Sequence, residues 1–288
     1  MTPILLDAVV RYLESQYPLT LAESWDNVGL LVGNRATTIR RIMTCLTVTP
    51  ESCREALREH ADLIITHHPF PFRAIQRMTS DTNIGNMLLQ LIHTGIAIYS
   101  PHTAFDSAAT GINQQIAKRL GLSQIATLYP SSASSEISHR QDQNLPQGTG
   151  RIGMLPQPTP LLPLVEKTAK LFDLNIASYA APDEFLIESN ERRLAQRVAI
   201  GCGAAGDFLE QAIVQKADVF LVGEVKFHTM LEARENQIAL IIPGHYATER
   251  FAVERLADEL QLYFADSLAV WASRCESDPL QYHCIDNS

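Results

Sequence analysis

The stretch ADLIITHHPFPF, Ala61 to Phe72, decides the architecture together with the IGNMLLQLIHTG and IAIYS that follow it. A short apolar run rich in isoleucine, closed by Pro69, reads as a buried strand. IGNMLLQLIHTG then repeats its apolar residues at helical spacing, and IAIYS returns to a strand pattern. The same rhythm precedes it in RIMTCLTVT and ESCREALREH and follows it in GINQQIAKRLGL. It resumes in RVAIG, DFLEQAIVQK, ADVFLVG, HTMLEARENQ, IALIIPG and ATERFAVERLADEL. Strands alternating with helices at this spacing predict an α/β fold with a largely parallel or mixed sheet.

The two series are separated by YPSSASSEISHRQDQNLPQGTG, Tyr129 to Gly150, which is rich in Ser, Gln and Pro and has no hydrophobic period. A loop of that length points to an inter-domain, functional or disordered segment. The expected organisation is an N-terminal α/β domain over 1–125, a linker over 126–150 and a C-terminal α/β domain over 151–288. The last part, about 245–288, is expected to pack with the first domain.

Bulk properties exclude several functions. The 288 residues carry a formal net charge of -9, and their Lys and Arg are scattered, so there is no electrostatic footprint for nucleic acid. The N-terminus MTPILLDAVVRYLESQYP has neither the cationic start of a signal peptide nor the length of a membrane span. The five cysteines form no C-x-x-C pair, which predicts reduced thiols in a cytoplasmic protein and a metal, if one binds, held by other ligands.

Why should a buried strand finish on two titratable rings, His67 and His68? Three further strand-like runs end the same way. After IAIYS come His102 and Asp106; after ADVFLVG come Glu224 and His228; after IALIIPG come His245 and Glu249. Ligands of open α/β sheets bind outside the carboxyl ends of strands, so this gathering of imidazole and carboxylate marks a metal site for zinc, iron or manganese. Singly, each residue reads as well as a hydrogen-bonded strand end; together they do not. Adjacent strand residues point to opposite faces, so His67 and His68 suit two ions side by side better than one. Glu249, one helical turn after His245, could reach both ions with its two oxygens, and Asp106 would add a carboxylate.

Two glycine-bearing stretches need weighing. Gly201, Gly203 and Gly206 fit G-x-G-x-x-G after a strand, with Glu224 about twenty residues on, as a dinucleotide site would ask. The alternative is a turn that permits close packing, or a backbone nest for a phosphate. In ESWDNVGLLVG, Trp25, Asp26 and Asn27 form either a turn or the wall of an active site.

Taken in order, SWDNVGLLVG, THHPFPF, SPHTAFD, VAIGCGAAGDF, FLVGEVKFH and GHYATER resemble the dinuclear metal-centre proteins known as GTP cyclohydrolase 1 type 2 homologues, from about Trp25 to Leu260. The resemblance implies two intertwined α/β domains with the metal site between them, two divalent ions per chain and a ring-shaped homohexamer. By motif it assigns His67 and Asp106 to one ion, His68 and His245 to the other, and Glu249 as the bridge. His102, Glu224 and His228 become candidate catalytic or substrate-facing residues. Many relatives carry an aspartate where CLTVT has Thr47. The activity implied is metal-dependent hydrolysis of a nucleotide or related small molecule. A two-metal phosphoesterase and a non-catalytic, metal-bearing scaffold are the alternatives.

Overall fold

The computed structural model describes residues 3–130, 147–189 and 191–283. The chain opens with β1 (Ile4–Leu5), α1 (Leu6–Gln16), β2 (Gly29–Val32), β3 (Thr38–Ile39) and β4 (Arg41–Cys45). There follow α2 (Pro50–Arg58), β5 (Leu63–Thr66), α3 (Asn83–His93), β6 (Ala97–Ser100), α4 (His102–Ser107) and α5 (Ile112–Arg119). Next come β7 (Ser123–Ala126), β8 (Tyr129–Pro130), β9 (Gly148–Thr149), β10 (Arg151–Thr159), α6 (Leu161–Leu171), β11 (Ser178–Ala180) and β12 (Ala195–Gly201). The chain closes with α7 (Leu209–Val214), β13 (Val219–Val222), α8 (Phe227–Glu235), β14 (Ala239–Ile242), α9 (His245–Phe264) and β15 (Ala269–Ala272).

Two mixed sheets result, so the fold is α/β. One has five strands in the order β15-β4-β5-β6-β2, parallel except for β2. The other has six in the order β11-β14-β13-β12-β10-β7, with β12, β13 and β14 parallel. Ser123–Ala126 thus pairs in the second sheet, while Ala269–Ala272 returns to the first, Ala269 opposite Arg41. Of the linker, residues 131–146 lie outside the described residues; its flanks pair antiparallel, Tyr129 opposite Thr149.

The period of two along the strands explains the layering. Leu63 and Ile65 of β5 face one core and Ile64 faces another; Val219 and Leu221 of β13 face the first, Phe220 and Val222 a third. The shared core takes the inner face of both sheets together with α1, α5, α6 and α9. The outer cores pack α2 and α3 on one sheet and α7 and α8 on the other. Among the described residues no helix is long and apolar enough to cross a membrane. Cys45, Cys53 and Cys202 are free and buried, and Cys275 is free and exposed.

Candidate metal centre

β5 ends at Thr66, yet the ladder continues through the two histidines. His67 N–H donates to the Cys45 carbonyl and His68 N–H to that of Leu46, each at 2.9 Å. Ser100 Oγ donates to the His67 carbonyl at 2.7 Å, holding the same segment from the β6 side. Beyond Thr66 the chain bends at the two histidines, so their side chains do not part to opposite faces as in a regular strand: His67 is buried, His68 half-buried, with ring centroids 5.1 Å apart.

Three of the imidazoles are tied at Nδ1 by a neighbour. His68 Nδ1 lies 2.7 Å from Thr47 Oγ1, His102 Nδ1 2.8 Å from Asp26 Oδ1, and His245 Nδ1 3.1 Å from Glu224 Oε1. Such a bond fixes ring orientation and tautomer and leaves Nε2 for a ligand. The inward atoms converge on Glu249. Its Oε2 is 3.1 Å from His68 Nε2, 3.0 Å from His245 Nε2 and 3.7 Å from His67 Nε2. Asp106 Oδ1 lies 3.7 Å from His67 Nε2 on the other side. His68 Nε2 and His245 Nε2 are 3.2 Å apart.

Do these residues fit a metal? Donors bound at about 2.0–2.2 Å to one first-row ion stand about 2.8–3.6 Å from one another, and most of the spacings above fall in or beside that range. Donor atoms of His68, His245 and Glu249 all lie within 4.8 Å of one another, and so do those of His67, His68 and His102. Both ring nitrogens of His67 are buried without a hydrogen-bond partner. A buried polar atom left unpaired costs roughly 1–3 kcal/mol, which an ion at this point would remove.

The electrostatics agree. Burial would raise the Glu249 carboxyl, but His67, His245 and His68 around it hold it well below the ordinary carboxylate range. Burial would likewise lower His245, but Glu249 and Glu224 outweigh it and raise the ring to about 9. His67 moves up as well, because Asp106 and Glu249 offset its burial, whereas for His68 burial prevails and moves it down. Asp106 is raised by its own burial. The site is one in which a carboxylate demands positive charge, supplied by protons or by a cation.

The glycine-rich turn after β12 belongs to this centre. A Cβ on Gly203, whose φ is +60°, would lie 2.0 Å from Glu249 Oε1, and one on Gly201 would lie 2.6 Å from the Ala205 Cβ. The turn is a cradle for a carboxylate and for close packing. Gly203 N–H donates to Thr248 Oγ1 at 3.1 Å, fixing the turn to α9.

All five residues assigned to metal by resemblance are thus brought together between the strand ends of the two sheets. His102 joins them, and Glu224 reaches them through His245. His228 does not: it is exposed on α8, its ring 5.7 Å from that of Phe227, and it belongs to neither donor group. Two contacts of the site went unread in the sequence. Cys202 donates its thiol to Asp106 Oδ1 at 3.2 Å, and burial keeps that thiol protonated. Thr47 orients His68. Their signal is only spatial, since they stand far from their partners along the chain.

The model of the family Duf34/NIF3 (NGG1p interacting factor 3) matches residues 4–279. The GTP cyclohydrolase 1 type 2 homolog of Clostridium acetobutylicum is 30% identical over 249 residues, covering 86% of this chain and 87% of that protein. The NIF3-like protein 1 of Drosophila melanogaster is 29% identical, with 96% and 88% covered. Among solved structures, the Bacillus cereus protein related to NIF3 superposes with a TM-score of 0.82 at 20% identity, covering 98% of this chain and all 100% of that one. HcgD of Methanocaldococcus jannaschii superposes with a TM-score of 0.76 at 23% identity, covering 94% and 98%.

Proposed function

Because the chain belongs to the Duf34/NIF3 family, we propose that its histidine and carboxylate cluster is a dinuclear divalent-metal centre and that the protein is a metal-dependent hydrolase of a nucleotide or related small molecule. The observation that carries this reading is the set of imidazoles tied at Nδ1 whose Nε2 atoms converge on Glu249. His67 and Asp106 would hold one ion, His68 and His245 the other, and Glu249 would bridge them. Zinc, iron and manganese all suit this donor set. A pair of such ions supplies a water acidified towards a pKa of ~7 at neutral pH.

The chain's own residues then have separate tasks. Glu249 concentrates negative charge between the sheets, where burial keeps bulk water away. Glu224 and Thr47 hold the rings of His245 and His68 at the angle that aims Nε2 inward. His102 donates its Nδ1 proton to Asp26, so Nε2 is left as an acceptor beside the cluster. It is the residue placed to take or return a proton during hydrolysis. Asp26 remains ionised for that role: burial would raise it, but the hydrogen bonds from His102 and Thr103 bring it below the usual range. Assembly as a ring-shaped homohexamer in the cytoplasm is part of the same proposal, carried over from the motif resemblance.

The test is to purify the protein with its metals, count them per chain, and assay formate from GTP and phosphate from a nucleotide panel, with His68→Ala alongside. Two ions per chain and a product lost in the variant are expected. Formate would indicate cyclohydrolase chemistry and phosphate a phosphoesterase. Metal-loaded protein that yields neither product would remove the enzymatic reading. It would leave a non-catalytic, metal-bearing scaffold, favoured by one observation: the ligands come from both sheets and would tie them together.

A further inference from the structure

Beside the cluster stand two large aromatic side chains that packing does not use. Trp25 is 63% exposed and Phe72 is 55% exposed, and both touch the same ring: their centroids lie 6.0 Å and 5.9 Å from that of His102, each edge-on. Scattered exposed aromatics are ordinary, but two that meet on a residue of the candidate site are not scattered.

Trp25 is also held unusually well for an exposed side chain. The turn that carries it is closed by Asp26 N–H donating to the Glu23 carbonyl at 3.0 Å. Glu23 N–H donates to Thr103 Oγ1 at 3.0 Å, and Asp26 receives His102 Nδ1–H, Thr103 N–H and Asn27 N–H at 2.8, 3.1 and 2.8 Å. The backbone on both sides of Trp25 is thereby fixed to α4 at His102 and Thr103. Phe72 follows the buried Phe70, which anchors its loop in the outer core of the five-stranded sheet. A rigid backbone that presents an unburied ring has paid the ordering cost of a binding platform in advance.

We propose that Trp25 and Phe72 flank the mouth of the metal centre as an aromatic clamp that binds its substrate by a planar heterocycle, a purine or pyrimidine base or a similar ring. This rests on the reading of the cluster as a metal-dependent hydrolytic site and specifies the chemical class of its substrate. A ring stacked between them would extend towards His102 and the inward donors behind it. Aromatic faces stack on any base, so the clamp would select flat π-systems over sugars and phosphates without reading one base from another.

The test is binding to the full-length, metal-loaded protein, measured by calorimetry with GTP, ATP and guanosine and, as base-free probes, ribose 5-phosphate and inorganic triphosphate. The base-bearing compounds should bind and ribose 5-phosphate should not. Trp25→Leu and Phe72→Leu keep an apolar side chain but lose the ring. Each should weaken GTP binding about 5- to 150-fold, the range that one base–aromatic stack spans, while Trp25→Phe restores most of it. Metal content and Tm, measured on the same samples, should not change. Base-free triphosphate binding as tightly as GTP, or leucine variants binding GTP like the wild type, would overturn the clamp. Bases that bind without any turnover would instead sink the hydrolase and leave the clamp standing.

Discussion

Gly203 shows how little room the cluster leaves at the level of single residues. A methyl group there would overlap Glu249 Oε1, and the backbone sits at φ +60°, where a side chain adds roughly 1 kcal/mol or more of strain. Gly203→Ala should therefore expel the Glu249 carboxylate from its place: metal content measured by elemental analysis falls to well under half, with the circular dichroism spectrum retained. Full metal occupancy in that variant would show that Glu249 is not a ligand. Thr47 acts more gently. Thr47→Val removes the bond to His68 Nδ1, and losing such a supporting contact typically costs 10- to 100-fold in metal affinity. A chelator competition titration should show that loss, and Thr47→Asp should restore it. Proton competition adds a sign that can be checked. His245 must lose a proton held up to about 9 before it can bind metal, so affinity should rise about tenfold per pH unit from 7 and level off near that value. Glu224→Ala removes one of the groups that raise the ring and should move the plateau to lower pH; an unchanged profile would separate Glu224 from His245.

Elements are joined here by carboxylates placed on backbone N–H groups. Glu55 of α2 accepts Ser273 Oγ at 2.6 Å and the N–H groups of Arg274 and Cys275 at 3.0 and 3.2 Å, just beyond β15. Glu276 in turn accepts Leu46 and Thr47 N–H at 2.9 and 2.8 Å, on the loop whose threonine orients His68. The segment after β15 thus steadies the site from a distance. Glu55→Ala should lower stability by about 1–3 kcal/mol, because the buried Ser273 hydroxyl and two partly buried N–H groups lose their acceptor, and should speed hydrogen exchange over residues 269–276. The sign with pH is fixed by the shift of Glu55: burial would raise it, but Ser273, Arg274 and Cys275 bring it below its ordinary value. Its contribution is present above the unfolded value of about 4.3 and is lost as pH falls through the lower folded one. The wild type and the variant should therefore converge in denaturant midpoint as pH falls through that lowered folded value, and a gap that persists at still lower pH would assign the effect to packing.

At the scale of the molecule, what the sequence displayed and what it hid follow from locality. The strand ends were legible because THHP, SPHTAFD and GHYATE each place their donors within a few residues of an apolar run. His245 and Glu249 were legible as a pair because one helical turn separates them. Hidden were the contacts that only topology creates: Thr47 on His68, Cys202 on Asp106, the carboxylate of Glu249 in the cradle of Gly203. The glycine pattern that also fitted a dinucleotide turn was ambiguous for the same reason, since Gly203 meets its partners Thr248 and Glu249 only across the fold, far along the chain. Equally non-local is the shared core, in which Leu63, Ile65 and Tyr99 of the first sheet and Val198, Ile200 and Leu221 of the second belong to one apolar cluster with Leu256 and Leu260 of α9. That continuity decides how the protein should unfold. If the metals alone joined the sheets, chelation would separate two folding units; with one core between them, the metal-free chain should keep its secondary structure and melt in a single transition. Leu260→Ala, at a fully buried position, should cost about 2–5 kcal/mol and raise hydrogen exchange in both sheets together. Acceleration confined to strands β10 to β14 would mean that the sheets are held separately and that the metal centre, not the core, is what unites them.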